Sequence, residues 1–275
     1  MRLLIIIISF FIVACTNNPL FDEDTSAQDK YVLRGKIALD DGSSPGDLFV
    51  WMEELDLSTR TNTAGDFLLQ IPKNDELKGL NGVYKIYFYA GDYKITHVEV
   101  LLRDGHFEYG QYAINNQGYI KETIILKKIL LIETTIDPMT ISGAQSTFLE
   151  ITVTFTAVDT TLLILIERGY ADRQLAGFVF NDLSKSILDA ILYSRPGAVR
   201  VGYNLDSAAS TWEVSFSLPE NLLPSGEYEV YPFVSIRQKT VPEALLANFG
   251  AKADEFTTDF LNVPLKPKSA RLTVN

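Results

Sequence analysis

The chain contains little of the chemistry that most hydrolases and metal centres use. Among 275 residues it has one cysteine and two histidines, which excludes an internal disulfide and a zinc site built from several cysteines. No histidine follows His106 to serve a serine nucleophile, and the glycine-rich phosphate loop G-x-x-x-x-G-K-S is missing. We therefore predict no catalytic residues, no metal and no cofactor.

Charge and hydrophobicity limit the class of protein further. The net charge of −11 argues against nucleic acid as a partner, since that requires a basic surface. Hydrophobic residues make up 47% of the chain and charged residues 21%, a composition that excludes a disordered chain. The length corresponds to one or two folded domains.

The first residues predict an export signal. Leu3 to Ala14 form an apolar stretch that only Ser9 interrupts, and Arg2 precedes it. This stretch is too short to cross a bilayer of about 30 Å as a stable helix, but it has the length of a signal-peptide core.

The end of that stretch resembles the bacterial lipobox. Ile12, Val13 and Ala14 precede Cys15, the only cysteine of the chain. The resemblance implies a signal peptide over residues 1–14 and acylation of Cys15, with residues 15–30 forming the lipidated N-terminus and a flexible tether. The implied partner is the lipid bilayer, in a bacterial cell envelope. Thr16, instead of aspartate, favours the outer membrane, and its periplasmic and surface faces both remain open. The alternative is an ordinary signal peptide with an incidental cysteine.

Short strands separated by turns predict a β-sandwich in the first part of the folded chain. Alternation of apolar and polar residues and turn-forming residues set the strand bounds. The predicted strands are Tyr31–Leu39, Leu48–Met52, Ser58–Thr63, Phe67–Ile71, Val83–Tyr89, Thr96–Leu102 and Thr123–Ile132.

This region resembles the carboxypeptidase regulatory-like domain. The resemblance rests on Gly35-Lys36-Ile37, the Asp41-Gly42 turn with Pro45, and the hairpin Thr61-Asn62-Thr63-Ala64-Gly65-Asp66-Phe67. It implies a transthyretin-like sandwich over residues 31–132. Residues 74–81 depart from the family pattern as an insertion. The module accompanies metallocarboxypeptidases without carrying their zinc, so no peptidase activity is implied.

The remaining residues, 133–275, predict a second β-sandwich-like domain, immunoglobulin-like, with two short helical insertions. Leu149, Ile151, Val153 and Phe155 alternate with polar residues along one strand. Helices are predicted over Leu183–Tyr193 and Glu243–Phe249. The other predicted strands are Thr161–Ile166, Ala198–Leu205, Thr211–Leu218, Glu227–Arg237 and Ala270–Val274. The predicted fold class is all-β, with two sandwiches in tandem.

Tyr87, Tyr89 and Tyr93 form a candidate aromatic surface. Alternation places Tyr87 and Tyr89 on one face of their strand, opposite Tyr84, Ile86 and Phe88. Exposed rings there could stack on sugars or on a partner protein. The alternative is that Tyr87 and Tyr89 pack against the second domain or a neighbouring loop.

These patterns favour a non-catalytic envelope lipoprotein that binds a protein or glycan partner. One alternative is an accessory protein or carboxylate-dependent hydrolase of envelope polysaccharide or peptide. For that chemistry Glu150, Glu167 and Glu213 are candidate acids, although they occupy outward strand positions. A further alternative is a structural subunit of an outer-membrane assembly.

Overall fold

A computed structural model of the protein describes residues 29–74, 77–158, 161–171 and 173–275, and over these ranges it is built almost entirely of β-strands. The all-β fold class is therefore confirmed. The predicted signal peptide, Cys15 and nearly all of the tether lie outside the described residues. Within the described ranges no helix is long and apolar enough to cross a membrane.

Two facing sheets form the N-terminal half, residues 29–126. One sheet has the order β4-β1-β8 and the other the order β3-β2-β5-β6-β7. Their strands are β1 (Val32–Leu39), β2 (Phe49–Met52), β3 (Leu57–Arg60), β4 (Asp66–Gln70), β5 (Gly82–Tyr89), β6 (Thr96–Arg103), β7 (His106–Phe107) and β8 (Ile124–Leu126).

The core of this half lies between the two sheets, as the alternation of apolar residues predicts. Leu33 and Ile37 of β1 are fully buried, and they meet Val50 of β2 and Phe88 of β5 from the facing sheet. The turn predicted at Gly65 is present, since the Gly65 N–H donates to the Asn62 carbonyl at 2.9 Å. It leads from β3 in one sheet to β4 in the other, so these two strands do not form the predicted hairpin, and β4 instead pairs with β1, with Lys36 opposite Asp66. The sandwich character of this region is therefore confirmed.

Three sheets surround the core of the C-terminal half, residues 130–275. Their orders are β16-β11-β9, β15-β12-β18 and β10-β19-β17-β13-β14. The strands are β9 (Leu130–Asp137), β10 (Thr140–Ile141), β11 (Thr147–Ala157), β12 (Leu162–Gly169), β13 (Gly177–Asp182), β14 (Ile191–Ser194), β15 (Ala198–Leu205), β16 (Ser210–Leu218), β17 (Gly226–Pro232), β18 (Ser235–Arg237) and β19 (Ala270–Val274).

The predicted inward face of β11 is confirmed. Leu149, Ile151, Val153 and Phe155 are all buried in the core of the C-terminal half. The chain direction alternates between β9, β11 and β16, so Ile151 lies opposite Ile136 on one side and Val214 on the other.

One predicted helix is confirmed and the other is wrong. The helix α1 spans Glu243–Ala247, close to its predicted bounds, whereas residues 183–193 contain a single 3-10 turn, Ile187–Asp189, followed by β14. Asp182 does not cap a helix, because its carboxylate accepts hydrogen bonds from the backbone and hydroxyl of Ser184 in a tight turn. Beyond that turn β14 pairs with β13, a strand that the sequence patterns did not predict.

Two predicted strands are each divided in the structure. The segment predicted as Thr123–Ile132 breaks at Lys128, whose backbone N–H donates to the Asp40 carboxylate instead of to a ladder. The segment predicted as Glu227–Arg237 breaks at Phe233, so β17 and β18 belong to different sheets.

Residues 241–268 of the C-terminal half pack against the N-terminal half. Leu245 of α1 and Phe249 after it join Phe49, Trp51 and Tyr89 in a hydrophobic cluster separate from the two main cores. Most of the predicted strands are thus present, in the predicted order along the chain. The division into two domains at residues 132 and 133 stays a prediction.

Candidate functional site

A buried group of charged residues lies at the junction of the two halves. The Lys128 Nζ atom is 2.8 Å from Asp92 Oδ2 and 3.4 Å from Asp41 Oδ2. The side chains of Lys128 and Asp92 are 7% and 0% exposed. We call Asp41, Asp92, Tyr93, Lys128 and Lys266 the junction network.

The polar groups of the junction network satisfy one another. Lys128 Nζ also donates to the Tyr93 hydroxyl at 3.1 Å and to the Lys266 carbonyl at 2.9 Å. The Tyr93 hydroxyl in turn donates to the Asp41 carboxylate at 2.9 Å. The backbone N–H of Lys266 lies 3.1 and 3.2 Å from the two Asp92 carboxylate oxygens. Buried charges persist only with such complete pairing.

Burial and charge shift the acid–base properties of these groups in different directions. Burial raises the pKa of Asp92, although the Lys128 ammonium opposes this shift. Burial also lowers the pKa of the Lys266 ammonium. Burial acts to raise the pKa of Asp41, but hydrogen bonds from Ser43 and Tyr93 outweigh it, so that the pKa of this carboxyl lies below its ordinary value.

The three tyrosines predicted as an exposed aromatic surface are buried, so that prediction is wrong. The residues Tyr87, Tyr89 and Tyr93 are 9%, 4% and 0% exposed. Tyr89 stacks on Phe249 at 5.8 Å between ring centres, and Tyr93 belongs to the junction network. The alternative interpretation, packing against the second half, holds for Tyr89, because residues 241–268 cover this face of β5.

Beside the junction network lies a cleft of about 260 Å³, which we call the junction cleft. The N-terminal half contributes Tyr89 and Gly91, while β18, α1 and the segments around them supply the other walls. Gly91 allows a close approach, since a Cβ atom there would lie 2.7 Å from Leu265. The polar side chains that line the cleft are Ser235, Arg237, Gln238, Lys239, Glu243 and Asp254.

Gln238 fixes one wall of the junction cleft to the N-terminal half. Its Nε2 group donates to the Tyr93 carbonyl at 2.8 Å, and its Oε1 atom accepts from the Ile95 backbone at 3.2 Å. Arg237 extends from the same segment to Asp254, at 3.0 Å. The cleft therefore combines apolar walls with fixed polar groups, as binding sites commonly do.

The structure does not bring the candidate acids together in a cleft. Glu150 and Glu213 are exposed on the outward face of the β16-β11-β9 sheet, opposite Ser215 and Thr152 respectively. Glu167 is half-buried on β12, where burial raises its pKa and Arg200 opposes the shift. Among the described residues no group of three or more histidine, cysteine, aspartate and glutamate side chains could hold a metal ion.

Sequence reasoning missed the junction network and the junction cleft. In the sequence, Asp41 lies in a predicted turn and Lys128 in a predicted strand, while Asp92 comes shortly after the end of β5. The sequence offers one hint of this site, namely charged residues at three strand ends. These residues are far apart along the chain, and no local pattern shows that they meet in space. Cys15, the predicted lipid attachment site, lies outside the described residues.

Comparison with known proteins does not identify a function. No family model matches the chain, and the search of curated proteins finds no match.

Proposed function

We propose that this protein is a lipid-anchored, non-catalytic component of the bacterial cell envelope whose junction cleft binds an extended segment of a partner protein. The observation that carries the proposal is the position of β18. This strand forms one edge of the β15-β12-β18 sheet, and all three of its residues line the junction cleft. An edge strand offers backbone groups with which an added strand can pair.

The polar groups of the junction cleft suit a peptide. Arg237 and Lys239 supply donors near the edge strand, while Glu243 and Asp254 supply acceptors. Apolar side chains such as Ile236 and Val241 offer contacts for alternate side chains of an extended segment. A glycan partner has less support, since the rings that would stack on sugars are buried.

The positions of the two ends of β1 support the proposal that the junction cleft is held away from the bilayer. Tyr31, just before β1, lies near His106, and Asp40, just after β1, binds the backbone of Lys128 at the junction. The strand's eight residues span about 26 Å at the usual rise per residue. A tether attached before Tyr31 would hold the junction at the far end of the N-terminal half. Repulsion between a negatively charged body and anionic lipids would add to this separation.

Site-specific photo-crosslinking in intact envelopes tests the binding proposal. A photoreactive residue replaces Lys239 at the cleft or, as a control, Glu213 on the exposed outward face. We expect an adduct with one defined partner only from position 239. Val241→Trp, which fills the cleft, should abolish it, whereas Val199→Trp, at a residue 40% exposed outside the cleft, should leave it intact. Equal adducts from both positions, or an adduct that survives Val241→Trp, would contradict the proposal.

A separate experiment tests the anchor. Cys15→Ala should move the protein from the membrane fraction to the soluble fraction and remove the acyl groups from its mass, because the thiol is the proposed attachment atom. Protein that remains in the membrane fraction without acyl groups would refute lipid anchoring, while leaving the cleft proposal to its own test.

A further inference from the structure

Lys128 and Asp92 place an amine and a carboxyl group in direct contact inside the protein. Lys128 Nζ lies 2.8 Å from Asp92 Oδ2, and neither side chain exposes more than 7% of its surface. We propose that these side chains condense to form an internal amide (isopeptide) bond between Lys128 Nζ and Asp92 Cγ. The bond would covalently join the loop after β5 to the segment between β8 and β9.

The reaction requires a neutral amine and a neutral carboxylic acid in contact. An ammonium and a carboxylate are both costly to desolvate, and transfer of one proton between them yields an amine and a carboxylic acid. Burial already acts to raise the pKa of Asp92. The Tyr93 ring centre lies 4.3 Å from Lys128 Nζ and covers one side of the pair. Fixed contact between the reacting groups replaces a bimolecular encounter and greatly raises their effective concentration.

Asp41 is placed to accept and return protons during the condensation. Its Oδ2 atom lies 3.4 Å from Lys128 Nζ, and its carboxylate also accepts the Tyr93 hydroxyl hydrogen bond. The Asp41 side chain is 25% exposed. Asp41 and Lys128 both line an open pocket together with Ser43 and Lys266. Protons and the released water therefore have a route to solvent.

The backbone N–H of Lys266 is placed to stabilise the charge that develops on Asp92. It lies 3.1 and 3.2 Å from the two carboxylate oxygens. A fixed backbone donor at this position acts on the tetrahedral intermediate as an oxyanion-hole donor does. Nucleophile, electrophile, proton acceptor and oxyanion donor are thus all supplied by the junction network.

The reaction balances without any co-reactant. The Nζ lone pair attacks Asp92 Cγ, a C–N bond forms, and the bond between Cγ and one carboxylate oxygen breaks. Two of the three ammonium hydrogens leave with that oxygen as water, the third stays on the amide nitrogen, and no atom is oxidised or reduced. The product chain is lighter by one water molecule.

Such a bond would stabilise a chain that cannot form an internal disulfide. An exported protein with a single cysteine has no internal disulfide to stabilise it. A covalent link between residues 92 and 128 would restrict the unfolded chain as a disulfide does.

Mass spectrometry of the full chain tests the inference. The protein is purified in its folded form and then denatured for measurement. We expect its mass to be lower by one water than the mass of the unlinked chain, and a proteolytic digest to contain one branched peptide joining residues 92 and 128. Lys128→Met should restore the full mass, whereas Lys127→Met, at the exposed neighbouring lysine, should keep the deficit. Asp41→Asn, which retains a side chain of the same shape, should slow or prevent the loss of water.

The outcomes distinguish the amide from other dehydrations. Succinimide formation at Asp41-Gly42 or Asp104-Gly105 also removes one water, but it reopens in mild base, gives no branched peptide and persists in Lys128→Met. Full mass in the folded wild-type protein after prolonged incubation, or a deficit that survives Lys128→Met, would overturn the inference.

Discussion

Single residues in turns hold the N-terminal half in its observed shape. Gly65 adopts a φ of +84°, a left-handed conformation that favours glycine, and it lies in the turn between β3 and β4. Its position also leaves no space for a side chain, since a Cβ atom would lie 2.1 Å from the Ile37 carbonyl and 2.9 Å from Pro45. The glycine at this position therefore has two independent physical reasons.

Gly65→Ala is expected to destabilise the protein by clearly more than the approximately 1 kcal/mol typical of an unfavourable backbone conformation alone. Gly42→Ala is the matched control, because Gly42 also has a positive φ, +74°, but has nothing within 4 Å of its Cβ position. Chemical denaturation of the two variants measures the difference. Equal losses of unfolding free energy would show that the contact with Ile37 contributes nothing.

Asp182 is expected to make stability fall in acid. Hydrogen bonds and charge from Lys185 and Ser184 lower its pKa from 3.8 to about 2 in the folded protein. Because the folded pKa lies below the unfolded one, its contribution is present above pH 3.8 and is lost as the pH falls towards about 2. Denaturation at a series of pH values should therefore show a steeper acid loss for wild type than for Asp182→Asn. Identical slopes for the two proteins would contradict this role of the carboxylate.

At the scale of elements, the alternating strands were predictable and the segments without alternation were not. The inward face of β11 and the bounds of β19 follow from sequence period alone. Residues 183–193 show why the period of apolar residues does not always predict the element that forms. Leu183, Ile187 and Ile191 recur at helical spacing, yet pairing with β13 and the turn at Asp182 override that period.

The helix α1 depends on one buried side chain. Leu245 is 0% exposed and packs in the cluster with Trp51 and Tyr89. Leu245→Ala should cost about 2–5 kcal/mol of unfolding free energy through lost burial and the cavity left behind. Leu188→Ala, at a residue that is 54% exposed, should change stability by no more than about 0.5 kcal/mol. A comparable loss in both variants by denaturant titration would show that α1 is not held by this contact.

At the scale of the whole molecule, the two halves contact each other at the junction. The junction network, the cluster around Phe249 and the bridge through Gln238 all join residues far apart in sequence. Such contacts decide whether the halves unfold together, and they also shape the cleft that the proposed function needs.

Gln238→Leu should weaken the junction. It would leave the Ile95 N–H and the Tyr93 carbonyl without their partner, at a cost of about 1–3 kcal/mol for each group that stays buried. Faster hydrogen exchange at the Ile95 amide, together with a lower denaturation midpoint, would report the loss. Lys239→Leu serves as the control at an exposed neighbour. Unchanged exchange at Ile95 in Gln238→Leu would contradict this bridging role.

The sequence by itself determined the all-β class, most strand positions and the faces that they bury. It also carries the lipobox resemblance at Cys15, on which the anchor proposal rests. These properties depend on local order along the chain, namely the period of apolar residues and the chemistry of turns. Only the tertiary structure decided that Tyr87, Tyr89 and Tyr93 are buried, because alternation shows which face a ring occupies but not what covers that face. For the same reason the contact of Lys128 with Asp92 could not be predicted. It joins strand ends that are distant in sequence, and folding alone brings those ends to one point.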